Sequence, residues 1–277
     1  MIPRLRPIQR HLARRSLTSW AAAVRDWDAS HINRDPHPTF SFGEHSFWES
    51  RYKSGRAPKD WFLDAQTAAE STVDAFMALS AARWQRSAPV RILHLGCGTS
   101  NLGGAVCDAL DVQGCEAHVT NVDYSASAIE EMTRVMSDAR QCWVEWDVAA
   151  APPSTSQGMD DREIPSSWDL LLDKGTLDAV AFCSTDKLVG YLTSIRHCLR
   201  SHSCNQPGSS PPLFVHFSDE PPELRRQLLA AAFPEWSISV TTVEVDSLDN
   251  VHTASSFEYF RYVVYMPIGA SKPAHRD

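Results

Sequence analysis

VRILHLGCGTSNLG, residues 90–103, decides the fold. Its first six residues are an aliphatic run of strand length, and such a run fits a strand buried on both faces. Glycines follow at 96 and 98, and NLGGAVCDALDV then opens a helix. Strand, glycine turn, helix is the way an open parallel sheet holds a nucleoside ligand at its carboxyl edge. The dinucleotide fingerprint G-x-G-x-x-G fails, because the sixth position counted from Gly96 is Asn101. What remains is G-x-G-x-S (Gly96, Gly98, Ser100), which suits a ligand without a pyrophosphate, such as S-adenosylmethionine.

Outward from this turn, strand and helix patterns alternate. A helix is expected over 64–86, with Val73, Phe76, Met77 and Leu79 on its apolar stripe and Pro89 ending it. Strands are expected at 116–122, 141–146, 168–173 and 213–218, and helices at 124–139, 184–200 and 221–233. Such alternation predicts a parallel sheet with helices on both faces. The last two strands, in WSISVTTVEV and FEYFRYVVYMP, have no helix between them, so they must pair as an antiparallel hairpin at one edge. The stretches 149–167 and 201–212 are loops by their Pro, Ser and Asp content.

The later strand ends carry polar residues in series. Asp123 and Tyr124 end the second strand, 25 residues beyond Gly98. A carboxylate there can accept from both ribose hydroxyls, and Tyr124 can stack on adenine. Asp123 also reads as a helix cap. Asp147, with Val148, ends the third strand and suits an adenine edge. LLLDKGTLDAV (170–180) follows, with Asp173 and Lys174 at the fourth strand end. Asp173 could orient an incoming amine. Asp178 reads as a cap or surface acid. In VHFSDEPPELRR (215–226), Ser218, Asp219 and Glu220 read as helix capping or as an acidic rim for a substrate Lys⁺, and the prolines open the next helix.

Composition narrows the class. The 277 residues are 43% hydrophobic and 22% charged, an ordinary globular mix. No apolar run reaches the roughly 18 residues a membrane span needs. The net charge of −8 argues against a general nucleic-acid binder. Residues 1–25 hold six Arg and no acid, the composition of a mitochondrial transit peptide. Without them the chain has 34 acidic and 20 basic side chains, net −14, which suits a basic protein partner. The seven cysteines contain no C-x-x-C, and the histidines no H-E-x-x-H, so no metal site is expected.

HLGCGTS, NVDYS, LLLDKGTLDAV and FSDEPPELRR together resemble the seven-β-strand S-adenosylmethionine-dependent protein-lysine methyltransferases. D-K-G-T-L-D-A is similar to the branch that modifies elongation factor 1A. FSDE with P-x-x-x-R and the Arg-rich leader look most like the branch acting on mitochondrial citrate synthase. The resemblance implies a Rossmann-like α/β methyltransferase sheet of seven strands over residues 46–270. A transit peptide (1–25) and an N-terminal extension (26–45) would precede it. It implies S-adenosyl-L-methionine as cofactor, a lysine-bearing protein as partner, no nucleic acid or membrane, and the mitochondrial matrix as location. FWESRY and KDWF match the family's segments that fold over the cofactor, so Trp48, Tyr52 and Trp61 would cover it. Gly96, Asp123, Tyr124, Asp147, Val148 and Lys174 would line the pocket, and Asp173 would be catalytic. Two positions depart from the family: His94 stands where an acid is common, and Thr99-Ser100 replaces Asn-Ser. The alternatives are an elongation-factor methyltransferase, a small-molecule methyltransferase and a non-catalytic binding or assembly factor; His94 is the only support for the last.

Overall fold

The computed structural model describes residues 20–32, 44–58, 60–80, 88–150, 168–201, 212–244 and 258–266. Most of the expected leader and of the extension, and nearly all of both long loops, lie outside these residues.

A helix α1 spans 20–31. Then come α2 (His45–Lys53), α3 (Ala65–Ser80), β1 (Val90–Leu95), α4 (Leu102–Val112), β2 (Ala117–Asp123), α5 (Ala126–Val135) and β3 (Gln141–Glu145). The rest are β4 (Leu170–Lys174), α6 (Thr176–Ala181), α7 (Thr185–Ser201), β5 (Leu213–Ser218), α8 (Pro222–Ala232), β6 (Ser237–Val243) and β7 (Tyr259–Tyr265). The seven strands lie in the order β3-β2-β1-β4-β5-β7-β6. β1 to β5 are mutually parallel, and β7 inserts antiparallel between β5 and β6. This is the Rossmann-like sheet with a terminal hairpin that the alternation predicts.

Alternate residues of the buried strands feed two hydrophobic layers. Val90, Ile92, Leu170, Leu172, Val215 and Phe217 pack against α3 and α4. Leu93, Leu95, Leu171 and Phe214 pack against α1, α6, α7 and α8. From the adjacent strands β1 and β4 the chain winds outward in opposite directions, leaving a crevice at their carboxyl ends. Ligands bind at such a switch point.

Three local features differ from the expectation. α5 stops at Val135, because Asp138 offers the backbone a competing turn: its carboxylate accepts from Arg140 N at 2.9 Å. The short α6 is an addition, started by Gly175 at φ 87°. The division expected at residue 25 falls inside α1. Trp20, Val24 and Trp27 recur at helical spacing and are buried in the α7 layer. Asp28 Oδ2 accepts from Thr185 Oγ1 at 2.6 Å, and the Arg196 guanidinium sits 4.7 Å over the Trp20 ring. α1 is a layer of the fold.

Candidate active site

The glycine turn builds the floor. Gly96 and Gly98 have φ of 60° and 51°, the left-handed region that glycine enters without cost. A Cβ on Gly96 would strike the Thr176 side chain, and one on Gly98 the Tyr52 hydroxyl. The backbone is therefore pressed against its neighbours at both positions. Asp123 stands opposite. Its Oδ2 accepts from Gly98 N and its Oδ1 from Ser125 N, each at 2.9 Å. Burial outweighs these donors and pushes the carboxyl up to about 6. The helix cap beyond it is Ser125, whose hydroxyl accepts from Ala128 N.

The wall toward β3 is Asp147, Val148 and Ala149. Asp147 Oδ1 accepts from Ala149 N at 3.0 Å, and its Oδ2 pairs with Lys187 of α7 at 2.6 Å. A carboxylate has about four lone-pair sites, so capacity remains for a ligand amine.

The cover is α2 and the segment after it. Trp48 stacks edge-on to Trp61 at 5.4 Å, and Tyr52 lies 6.1 Å from Trp48. Two charged tethers hold the cover down. Glu49 accepts from the Ser125 hydroxyl at 2.5 Å and the Ser127 hydroxyl at 2.6 Å, which lowers its carboxyl to about 2. Lys174, buried at the end of β4, donates to Asp60 Oδ1 (2.9 Å) and to the carbonyls of Trp61 (3.0 Å) and Leu63 (3.1 Å). Ser100 Oγ adds a 2.5 Å bond to Asp60 Oδ1. Desolvation lowers the Lys174 ammonium from its ordinary value, against the Asp60 charge.

Between the two clamped carbonyls lies Phe62 at φ 63°, the one non-glycine residue with positive φ among those described. Leu63 N donates to Trp61 O at 2.7 Å, so Phe62 is the apex of a γ-turn. The positive-φ form is rare and strained, at roughly 1–3 kcal/mol, and persists where surroundings over-determine it. Lys174, bonded on both sides of the apex, supplies that constraint.

These parts enclose a cavity of about 650 Å³. Trp48, Tyr52, Trp61, Gly96, Asp123, Tyr124, Asp147, Val148 and Lys174 all line it. The size falls within the ordinary range for small-molecule sites, about 300–1,000 Å³. Thr176 also lines the cavity, as do Val180, Lys187 and Tyr191, which the sequence reading passed over. Thr176 was signalled by its place after Gly175, but the α7 residues carried no motif.

Asp173 is placed differently from the expectation. It is fully buried and is not among the residues that line the cavity. Its carboxylate accepts from Thr176 N (3.0 Å), Leu177 N (3.0 Å) and Tyr191 OH (2.6 Å), and His216 Nδ1 lies 3.2 Å away. Burial alone would raise this carboxyl, but His216 and the donors hold it below its ordinary value. It caps α6 instead of facing the crevice. His94 is likewise buried, with Nδ1 at 2.9 Å from Asn121 Oδ1, and burial lowers it to about 4, so the ring is neutral. It packs within the sheet outside the cavity lining. Asp178 is no surface acid, since it pairs with Arg225 and accepts from Ser218 Oγ at 2.6 Å. Asp219 is exposed beyond the end of β5. Among the described residues no group of three or more His, Cys, Asp or Glu is placed to hold a metal.

No protein-family model matches the chain. Over 165 residues it is 29% identical to human citrate synthase-lysine N-methyltransferase, mitochondrial, covering 56% of this chain and 62% of that protein. It is 31% identical over 150 residues to mouse EEF1A lysine methyltransferase 4, covering 52% of this chain and 48% of that protein. The chain thus spans less than two thirds of the length of these curated relatives. Among solved structures, the plantazolicin methyltransferase BpumL in complex with SAH is 12% identical with a TM-score of 0.48, covering 91% of this chain and 97% of that one.

Proposed function

We propose that this chain is an S-adenosylmethionine-dependent protein-lysine N-methyltransferase, working in the mitochondrial matrix with citrate synthase as acceptor. The observation that carries the transferase reading is the crevice itself. Asp123, Asp147 and a positive-φ glycine turn stand at successive strand ends beneath a tethered aromatic cover. The likeness to the human citrate synthase-lysine N-methyltransferase and the Arg-rich leader support the acceptor and the compartment.

The residues fit the cofactor. Asp123 retains lone pairs for the two ribose hydroxyls, and Tyr124 and Val148 flank the space for adenine. Gly96, which also lines the cavity, allows the left-handed turn that sets the backbone there against Thr176. Trp48 and Trp61 exclude water from above. When bound, S-adenosylmethionine supplies a methyl group on a sulfonium, open to displacement by a neutral amine, with sulfur keeping the electron pair. The acceptor lysine must first lose a proton, although a free lysine titrates near 10.4. An apolar entrance favours the neutral amine, and water takes the proton. Alignment and desolvation supply most of the rate.

The test is transfer of labelled methyl from S-adenosylmethionine by the full chain in a mitochondrial extract and, separately, in a cytosolic extract, with the product identified by mass spectrometry. Label on a lysine of citrate synthase is the expected result. Label on elongation factor 1A would favour the second reading, which the mouse relative motivates. Label on no protein would overturn the protein-lysine reading.

Asp123 gives this reading a pH signature. Its ionised form is the better acceptor for two hydroxyls, and its carboxyl titrates at about 6 in the free protein. Cofactor affinity is therefore flat above pH 6 and falls about tenfold per unit below it, because binding must expel a proton. The same shift makes folding less favourable as pH rises between about 4 and 6, since the folded state holds the proton more tightly. Asp123→Asn should bind more weakly and lose the pH dependence. Calorimetric titration across pH 4.5–8 checks both: a flat wild-type profile would refute the pH signature, and unchanged affinity in Asp123→Asn would refute the role.

A further inference from the structure

The cover, the glycine of α6 and the start of β7 meet at one place. The Phe62 ring packs so closely on Gly175 that a Cβ there would lie 3.2 Å from Phe62 Cε2. It lies 6.0 Å from Trp61 at 89° and 5.8 Å from Tyr259. Trp61 and Gly175 line the cavity, so Phe62 forms the next layer of the same wall. Tyr259 starts β7, and the following residue, Phe260, pairs with Ser218 at the carboxyl end of β5. Asp219 comes immediately after. Three aromatic rings and one exposed carboxylate therefore gather at the carboxyl edge of the sheet, beside the cavity and on the β5 side of it. The γ-turn holds the central ring there against backbone strain, with Lys174 fixed to both flanking carbonyls.

We propose that Phe62 and Tyr259, with Trp61, wall the passage by which a primary ammonium side chain reaches the cavity, and that Phe62 is a positioning residue for the acceptor. The proposal rests on the transferase reading above. Ring faces attract an incoming ammonium. The same faces desolvate it and so favour loss of its proton. Asp219, at the outer end, draws the charge in. Gly175 matters for a separate reason: any larger residue would displace the Phe62 ring. Simple core packing would explain Phe62 without any acceptor, and the experiment separates the two.

The full chain and its Phe62→Ala, Phe62→Gly, Phe62→Tyr and Tyr259→Ala variants are compared for methyl transfer to poly-L-lysine and to intact citrate synthase, for cofactor binding, and for thermal stability. Poly-L-lysine reports on the passage whichever protein is the natural acceptor. Glycine relieves the strain at φ 63° and alanine does not, so the two variants differ in stability while lacking the same ring. The expected result is a KM for acceptor raised at least tenfold in Phe62→Ala, Phe62→Gly and Tyr259→Ala alike. Cofactor Kd should stay within about twofold, and Phe62→Tyr should stay near wild type. Transfer that follows the melting temperature, or that stays within twofold of wild type in all variants, would overturn the passage. A wild-type chain that binds cofactor and methylates neither acceptor would overturn the transferase reading, and the passage with it.

Discussion

A chain that starts at residue 26 should be less stable than one that starts at residue 20 by about 5 kcal/mol, a large share of a typical domain's total. The first six residues of α1 include Trp20 and Val24, both buried in the layer beside α7. Removing a buried Trp costs about 3–5 kcal/mol and a buried Val somewhat less. The loss extends to α7. Arg196 is itself buried, with its guanidinium over the Trp20 ring, and Arg25 pairs with Asp186 at 2.8 Å. Thermal unfolding of the two shortened chains checks this, and equal melting temperatures would refute it. If the Arg-rich segment is a cleaved leader, the cut must fall upstream of Trp20. Amino-terminal sequencing of the protein from mitochondria reads that position directly.

Asp173→Ala should lose methyl transfer, cofactor affinity and stability together, with a stability cost of about 3–5 kcal/mol. The reason is its burial. Two backbone amides, a tyrosine hydroxyl and His216 all converge on this carboxylate. Alanine leaves those groups without an acceptor in a site that water does not reach, and each such group is costly. α6 then loses its cap, and with it the wall formed by Thr176, Ala179 and Val180. Asp173→Asn keeps part of the acceptor set and should fall between alanine and wild type. Melting and cofactor titration beside the activity assay decide the matter. Turnover abolished at unchanged melting temperature and unchanged cofactor affinity would mean that Asp173 meets the amine itself.

These two cases show where the sequence was legible and where it was not. Strand ends were readable because a buried parallel strand is a short apolar run, and the residues just past its end fall at the ligand edge. This is why Gly96, Asp123, Asp147 and Lys174 could be placed at strand ends from the pattern, while their place in the pocket came from the resemblance. The direction a side chain takes at that edge was not readable. Asp173 and Lys174 are neighbours in one motif, yet one lies beneath the floor and the other clamps the cover. α1 was hidden by its company: an Arg-rich amphipathic leader and an amphipathic surface helix share a composition, and the Trp20, Val24, Trp27 spacing was the only distinguishing sign. The γ-turn at Phe62 had no sign at all. Positive φ at a phenylalanine is imposed by Lys174, more than a hundred residues later in the chain.

The attachment of α1 also sets an order of events at the ribosome. Asp28 meets Thr185, its hydrogen-bond partner, only after 157 further residues have been added. At synthesis rates of about 5–20 residues per second, that is an interval of roughly 10–30 s. Throughout it, the indoles of Trp20 and Trp27 have no α7 to bury against. The α1 helix is thus kept unseated until α7 has been made, and for that interval it stays open to any receptor that reads an amphipathic helix.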